Sequence, residues 1–467
     1  MEYQLDNIYE QLTLERVRQL NYSRVEILVI MTLFFSAFSA SNYFPASRVI
    51  LFSDMSNNTF NGDWLIIIWS VYIPLAFLTI YPYFRYNPQK DLNPERRHQR
   101  EEYRVIFAIV SKGENIKPLS RSIKSVLFWA PRYLKNWLIE VIVEEDLPKE
   151  SSEYLNSLIS EKLMIIKVPK NYETKNKTKY KARALNYAIE VRKDRGEINQ
   201  RTWIYHMDEE SVVGEDTILG IIDFIEGEGR NKVLGIGLIV YPINWGKNLI
   251  VSFADTLRPS DDLGKYRLQA KIGKALFGIH GSHILIRSDV EYKIGWDFGS
   301  SRAEDMQFAF RLKNEFSNPI GWLKGRLYEQ SPLTLIDYFK QRRRWFKGTL
   351  DCIKDKKIVL PYRMLLIFSL IIWLNGLPSF IAAIMSFIIS MSFPPYFSVL
   401  GAISTSILFF LSWEGFKLNT LLVSVRRRNL YKILCLIVLP LISFLESSTA
   451  WFSLFSKGVK YEVVKKE

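Results

Sequence analysis

Apolar and polar positions are segregated along this chain rather than mixed. Two apolar blocks lie near the start, Val25 to Tyr43 and Trp64 to Phe84. Three more lie near the end: Tyr362 to Met391, Phe397 to Trp413 and Leu430 to Phe455. Crossing a bilayer takes about 20 residues of helix, so these blocks are candidate spans. Trp64 and Trp69 enter the second block and Tyr81, Tyr83 and Tyr86 leave it, which suits aromatic rings at headgroup level. Between the two sets the pattern changes to short β-rich runs: VIFAIV from Val105, IEVIV from Ile139, LMIIKVP from Leu163, WIYHMD from Trp203 and LGIGLIVYP from Leu234. Helical patterns from Lys181 to Lys193 and from Asp216 to Glu226 separate some of them. Strand–helix alternation predicts a mostly parallel sheet with helices on both faces, and such sheets bind ligands beyond the carboxyl ends of their strands.

The expected organisation is therefore a polar, amphipathic lead over residues 1–24, a membrane hairpin over 25–100, an α/β domain over 101–355 and C-terminal transmembrane and interfacial helices over 356–467. The first block lacks a small-residue cleavage site and reads as a retained anchor. Basic residues flank the outer ends of the hairpin while its loop, with Asp54 and the sequon Asn57-Asn58-Thr59, has few. This expectation makes the chain a multi-pass membrane protein with its α/β domain in the cytoplasm. Three later spans would put the C-terminus outside, yet Lys457, Lys460, Lys465 and Lys466 make the tail basic. One of the segments holding Pro378 or Pro440 could instead be re-entrant or in two parts, and the count of crossings stays open.

Charge changes this picture only in detail. The net charge is +14, but much of the excess sits beside apolar blocks (Arg85, Lys90, Arg96, Arg97, Arg100; Arg342 to Arg344; Arg426 to Arg428). That placement suits membrane flanks and offers no basic face with interleaved aromatics for nucleic acid. Cys352 and Cys435 form no CxxC, and His98, His206, His280 and His283 are scattered without HExxH, so neither a disulfide framework nor a zinc site is indicated.

Three patches carry candidate chemistry. The first is His206-Met207-Asp208-Glu209-Glu210-Ser211 at the end of an apolar run. Side chains two apart on a strand point the same way, so Asp208 and Glu210 could share one hard divalent cation; an acidic cap on the helix near Asp216 is the plainer alternative. The second is Arg302-Ala303-Glu304-Asp305, behind the glycine-rich stretch Gly295 to Gly299. Asp305 opens a helical run and reads either as an N-terminal cap or as a general base. The third is Gln341-Arg342-Arg343-Arg344-Trp345, either a basic membrane flank or an arginine for a departing diphosphate beside a tryptophan for a sugar face. Ser260-Asp261-Asp262 reads first as an acidic turn. Glu446 is costly inside a membrane and faces either a cavity or a neighbouring helix.

In this order, an acidic strand end, Glu-Asp and Gln-x-x-Arg-Trp resemble glycosyltransferase family 2 in its membrane-integrated form, and more narrowly the Egghead-type β-1,4-mannosyltransferases of animals. The stretches VPKNYETKNKTKYKARALNYAIE from Val168, WIYHMDEES from Trp203, FADTLRPSDDLGKYRLQ from Phe253 and LYEQSPLTLIDYFKQRRRWFKG from Leu327 carry the likeness, over roughly 103–350. The resemblance implies an α/β GT-A domain (a Rossmann-like mixed sheet), a divalent metal, Mn2+ or Mg2+, and inversion at the sugar carbon. It implies a nucleotide-sugar donor, GDP-mannose being favoured, and a lipid-linked or glycolipid acceptor in the membrane lipid. Carried over by position, Asp208 and Glu210 match the metal element and Asp305, with Glu304 beside it, the base. Lys181, Arg183 and Asn186 match the stretch that reaches the nucleotide. Gly281, Ser282 and Arg287 match the loop beside the acceptor, and Gln341, Arg344 and Trp345 the QxxRW element. Where relatives have Asp-Asp to read base and ribose, this chain has Glu144-Glu145-Asp146. The alternatives to a single-sugar transferase are a processive β-polysaccharide synthase, and a transporter or channel with a nucleotide-sensing domain.

Overall fold

The computed structural model describes residues 7–18, 32, 60–61, 63–85, 92, 97–388, 391–392 and 395–456. Apart from residue 32, the block Val25 to Tyr43 lies outside them. The block Trp64 to Phe84 forms a helix Asp63–Ser70 and then α1, Tyr72–Arg85.

The α/β domain follows, with strands β1 Arg104–Val110, β2 Trp137–Glu144, β3 Leu163–Val168, β4 Thr202–Asp208, β5 Val212–Val213, β6 Leu234–Val240, β7 Ile284–Arg287 and β8 Ile320–Tyr328. They form one sheet in the order β3-β2-β1-β4-β7-β6-β8-β5. The first four are parallel, as expected. β7 runs antiparallel to both its neighbours, and β5 antiparallel to β8, so the sheet is mixed. β7 and β8 were not among the runs read from the pattern. Ile284–Arg287 is only four residues long, and IGWLKGRLY carries two glycines and two charges; tertiary pairing makes them strands.

The central strands are apolar throughout because both faces are covered. Val105, Phe107 and Ile109 of β1 join one core cluster; Ile106 and Ala108, pointing the other way, join a second. Helix α2 (Ile116–Tyr133) covers the first face with Leu119, Ile123, Val126 and Trp129, and α3 (Tyr180–Asp194) covers the second with Ala182, Leu185 and Ile189. Helix α4 (Glu215–Glu226) adds Ile218, Ile221 and Ile225 beside α2. Register sets which ends meet: Val110 of β1 is opposite both Ile142 of β2 and Asp208 of β4. Ser111, Glu144 and Asp208 therefore emerge at one edge.

Residues 7–18 are docked on this domain. Ile8, Tyr9, Leu12 and Val17 are buried; the Leu14 N–H donates to Glu215 Oε2 at 2.7 Å and Leu12 O accepts from the Glu215 N–H at 2.9 Å. Residues 7–18 of the polar lead thus lie against the start of α4 and against α2, whose Trp129 Nε1 donates to Tyr9 O at 3.0 Å.

After β6 come α5 (Leu249–Ala254), α6 (Leu257–Asp261) and a π-helical turn, Asp262–Tyr266. α7 (Glu304–Glu315) follows β7, and α8 (Leu335–Lys354) follows β8. Three long apolar helices end the chain: α9 Leu360–Ile388, α10 Pro395–Asn419 and α11 Val425–Phe455. By length and composition each is able to cross a membrane.

Candidate active site

One cavity of about 630 Å³ collects all three patches. Its polar end is lined by Ser111, Glu144, Lys181, Asp208, Glu209, Glu210, His280, Gly281, Ser282, Glu304, Asp305, Glu329, Gln341, Arg344 and Trp345. Its other end runs between α1 (Leu75), α9 (Leu366, Leu370, Trp373), α10 (Leu408, Leu411) and α11 (Ser443, Glu446). Residues far apart in the chain converge because each leaves an element at the same edge of the sheet.

Strand β4 ends at Asp208, and Glu209 and Glu210 lie in the turn that follows. That differs from the expected strand alternation. Ser211 closes the turn instead: its Oγ accepts from the Asp208 N–H at 3.0 Å, and its N–H donates to Asp208 O at 3.0 Å. Glu209 is turned toward β1, where Ser111 Oγ donates at 2.5 Å and Asn115 Nδ2 at 2.7 Å. Asp208 and Glu210 remain on the cavity wall.

Lys181, on the first turn of α3, pairs with Asp208 and donates to Gly281 O at 2.7 Å. Burial pulls this ammonium down, but Asp208, Glu304 and Asp305 together outweigh it and hold it above the ordinary lysine range. A methyl added at Gly281 would meet Asp305 Oδ2 and Lys181 Nζ, each at 3.4 Å. That is ordinary contact distance, so the loop passes beside both groups without a clash. Asp305 sits in the first turn of α7, its Oδ1 accepting from the Met306 N–H at 2.8 Å. Burial and then Glu304 raise its carboxyl to about 7, while the Met306 N–H, Lys181 and His280 pull it back down.

That value sets a pH dependence. If Asp305 is the base, its carboxylate is the active form, so kcat/KM should rise with pH and level off above about 7, falling about tenfold per unit on the acid side. A profile flat between about pH 5.5 and 8.5 would remove Asp305 from that role.

Glu329 was not singled out in the sequence, although it directly follows β8. It is buried and accepts from Ser282 Oγ at 2.5 Å, Ser211 Oγ at 3.0 Å and Tyr241 Oη at 3.0 Å. It ties the acidic turn to the Gly281-Ser282 loop. Burial, and then the charges of Asp208 and Glu210, raise its carboxyl. A carboxylate at the end of a strand, as at Asp208, was the available signal. His283 pins the same loop from behind, in a left-handed conformation (φ 56°). Its Nε2 donates to Gly325 O at 2.9 Å and its Nδ1 accepts from Tyr205 Oη at 2.6 Å. Burial lowers it to about 3, so the ring stays neutral.

The other expected residues divide between the cavity wall and the contacts behind it. Glu144 lines the cavity, whereas Glu145 is exposed outside it and accepts from the Lys170 N–H at 3.0 Å. Arg183 is a strut to Glu144 (2.6 Å) and Tyr172 O (3.0 Å), and Asn186 binds Tyr172 Oη (2.8 Å) and the Trp296 N–H (3.2 Å). Both stand off the wall because α3 turns Tyr180, Lys181 and Ala184 toward it instead. Arg287 pairs with Asp289 at 2.7 Å. Asp262 is spent on the Ile239 N–H (3.0 Å) and His280 (2.5 Å). On α8, Gln341 accepts from Arg342 Nη1 at 2.6 Å, and the Arg258 and Arg342 guanidiniums lie over the Trp345 ring at 4.5 and 4.4 Å. The indole thus already stacks on cations. Glu446 accepts from Arg342 Nε at 3.0 Å and from Tyr338 while lining the cavity, so both readings of it apply.

Among the described residues no three His, Cys, Asp or Glu side chains form a ready metal cage. The donor set is nevertheless all carboxylate oxygen, suited to a hard cation that takes its remaining ligands from a diphosphate. Burial is the chief cause of the raised Asp305 and Glu329 carboxyls, with Glu304 adding to the first and Asp208 and Glu210 to the second.

Residues 203–453 match the description of glycosyl transferase family group 2. A β-1,4-mannosyltransferase of Drosophila melanogaster (egh) is 34% identical over 245 residues, 52% of this chain and 51% of that protein. The chain thus aligns with about half the length of that relative. A β-1,4-mannosyltransferase of Caenorhabditis elegans is 28% identical over 375 residues, 78% of each chain. Among solved structures, the mannosyltransferase PcManGT from Pyrobaculum calidifontis, in complex with GDP-Man and Mn2+, aligns over 84% of this chain and 100% of its own at 12% identity, with a TM-score of 0.45.

Proposed function

Because the chain belongs to glycosyl transferase family group 2, we propose that it transfers one hexose, mannose from GDP-mannose, to a glycolipid acceptor with inversion. The observation that carries this reading is the shape of the cavity: carboxylates and cations at the sheet edge, apolar helix faces at the other end. A nucleotide sugar fits the first, and an acceptor with a hydrocarbon tail fits the second.

Each residue then has a task. Asp305 removes the proton of the acceptor hydroxyl as that oxygen attacks the sugar carbon, and the sugar's bond to the nucleotide diphosphate breaks on the opposite side. Its raised carboxyl makes it a better proton acceptor than an exposed aspartate. Asp208 and Glu210 would hold a divalent cation, which neutralises diphosphate charge when bound. Arg344, on the same wall, stabilises the leaving group. Lys181 keeps Asp208 oriented and shares its charge with Asp305. Gly281 and Ser282, braced by Glu329, position the acceptor sugar.

The test is to offer the purified full chain a panel of nucleotide sugars and glycolipids and weigh the products. One added hexose from GDP-mannose, abolished by chelation and restored by Mn2+ or Mg2+, is the expected result. A ladder of products would instead indicate a polymer synthase. Donor binding with no product from any acceptor would favour nucleotide sensing.

A further inference from the structure

The stretch from Phe253 to Gln269 has none of the tasks above, although it supplies Leu257, Arg258, Ser260, Asp261, Lys265 and Tyr266 to the cavity wall. Arg258, on α6, stands where the two ends of the cavity meet. Its guanidinium lies over the Tyr241 ring at 4.2 Å and over the Trp345 ring at 4.5 Å. On one side Tyr241 Oη donates to Glu329 at 3.0 Å, and Glu329 holds the Gly281-Ser282 loop through Ser282 Oγ. On the other, Arg342 lies over the same Trp345 ring at 4.4 Å and donates to Glu446 at 3.0 Å. A line of contacts, Glu329–Tyr241–Arg258–Trp345–Arg342–Glu446, therefore runs from the acidic turn to the apolar end. Arg258 is in its middle.

The neighbours of Arg258 leave its N–H groups unspent. Burial loosens the guanidinium's proton, but Tyr241, Asp255, Glu329 and Asp262 outweigh that, so the charge persists. These carboxylates nevertheless bond elsewhere. Asp255 pairs with Arg342 at 2.7 Å, and Asp262 accepts from the Ile239 N–H at 3.0 Å and meets His280 at 2.5 Å. Glu329 is taken by three hydroxyls. Among the described residues none accepts a hydrogen bond from Arg258, and its nitrogens keep accessible surface in the cavity wall. A guanidinium carries its donors in one rigid plane, and a charged donor held away from bulk water is costly to leave without acceptors. Oxygens of a bound molecule would complete it.

We propose that Arg258 is the residue that selects the acceptor's head, donating to the hydroxyl and glycosidic oxygens of a neutral sugar where the apolar end of the cavity opens toward Asp305. This rests on the transferase reading given above. Charge favours the neutral sugar over a phosphate-headed lipid. A phosphate at this point would face Asp255, Asp262 and Glu329 as well as the guanidinium, and like charges repel most strongly where water is scarce. Sugar oxygens ask only for donors, and the planar fork of an arginine reaches two neighbouring ones at once. A lysine at the same place would keep the charge and lose that geometry.

The test uses the full chain in lipid nanodiscs with three soluble probes, hexyl β-glucoside, hexyl β-galactoside and hexyl phosphate, followed by saturation-transfer NMR. At least one glycoside should bind, and Arg258→Lys should weaken it about 10-fold or more while GDP affinity stays within about twofold, as expected for losing a hydrogen bond to a charged group. Failure of both glycosides to bind, equal binding by the variant, preference for hexyl phosphate, or a loss confined to GDP would each overturn the proposal. So would a lower melting temperature with glycoside binding unmoved, which would make Arg258 a counter-ion for Asp255, whose Oδ2 is buried without a hydrogen bond. A second measurement needs no variant: phenylglyoxal should modify Arg258 in the unsubstituted chain, read by peptide mass spectrometry, and the glycoside should protect it. An Arg258 that never reacts, or reacts equally with and without glycoside, also overturns the proposal. If glycoside binds through Arg258 but nothing is transferred from GDP-mannose, the donor assignment fails and the acceptor assignment stands.

Discussion

Asp305→Asn should lower kcat by about three orders of magnitude while leaving donor binding within a few-fold, a loss typical of deleting a general base. The amide has nearly the same shape and still accepts from the Met306 N–H, so α7 should keep its first turn. What it loses is the ability to take a proton, together with a charge that Lys181 partly balances. Donor affinity by calorimetry and single-turnover rates separate the two. If the Asp305→Asn variant retained more than about a tenth of the unsubstituted chain's turnover, the proton would have to leave by another route.

Arg192→Ala should cost about 3–5 kcal/mol of stability, the range for leaving a buried charge without its partner. Arg192 Nε donates to Glu140 at 2.8 Å and Nη1 to Glu291 at 2.7 Å, with all three side chains essentially inaccessible. Removing the guanidinium leaves Glu140 with only Arg195, and Glu291 with only His206 and the Trp296 indole, so the buried cluster between α3 and the sheet loses its central cation. The folded protein reveals the same dependence through pH. Burial opposes the Glu291 charge, but Arg192 and His206 more than compensate and hold it at about 2, below its ordinary 4.5. Its stabilising effect is therefore complete above about 4.5 and lost as pH falls toward 2. At about 2–4 °C per kcal/mol for a domain of this size, the variant should unfold roughly 10 °C earlier. A shift under about 2 °C would mean the pocket admits water or relaxes around the pair.

Much of the site was legible before any coordinates. Asp208, Glu210 and Asp305 were identifiable as carboxylates at a strand end and a helix start, and Gln341, Arg344 and Trp345 by their order in one short motif just before the apolar helices. All of them line the cavity. Glu329 was missed because a single carboxylate after a strand resembles any loop acid. Its role comes from three hydroxyls donated by Ser211, Tyr241 and Ser282, none of them near it in sequence. Arg183 and Asn186 show what helix phase adds: their motif suggested a nucleotide contact, and the structure turns them onto Glu144 and Tyr172.

The chain's own pattern determined where apolar blocks, strands and candidate carboxylates lie, since periodicity and charge are local and follow from covalent spacing. Which strands pair antiparallel, which way the side chains of α3 point, and whether α11 crosses a bilayer or lies on it are properties of contacts between segments far apart in the chain. A 31-residue apolar helix satisfies its backbone equally well in either orientation. Its surroundings are set instead by distant partners, Arg342 and Tyr338 of α8 and Leu374 and Leu377 of α9.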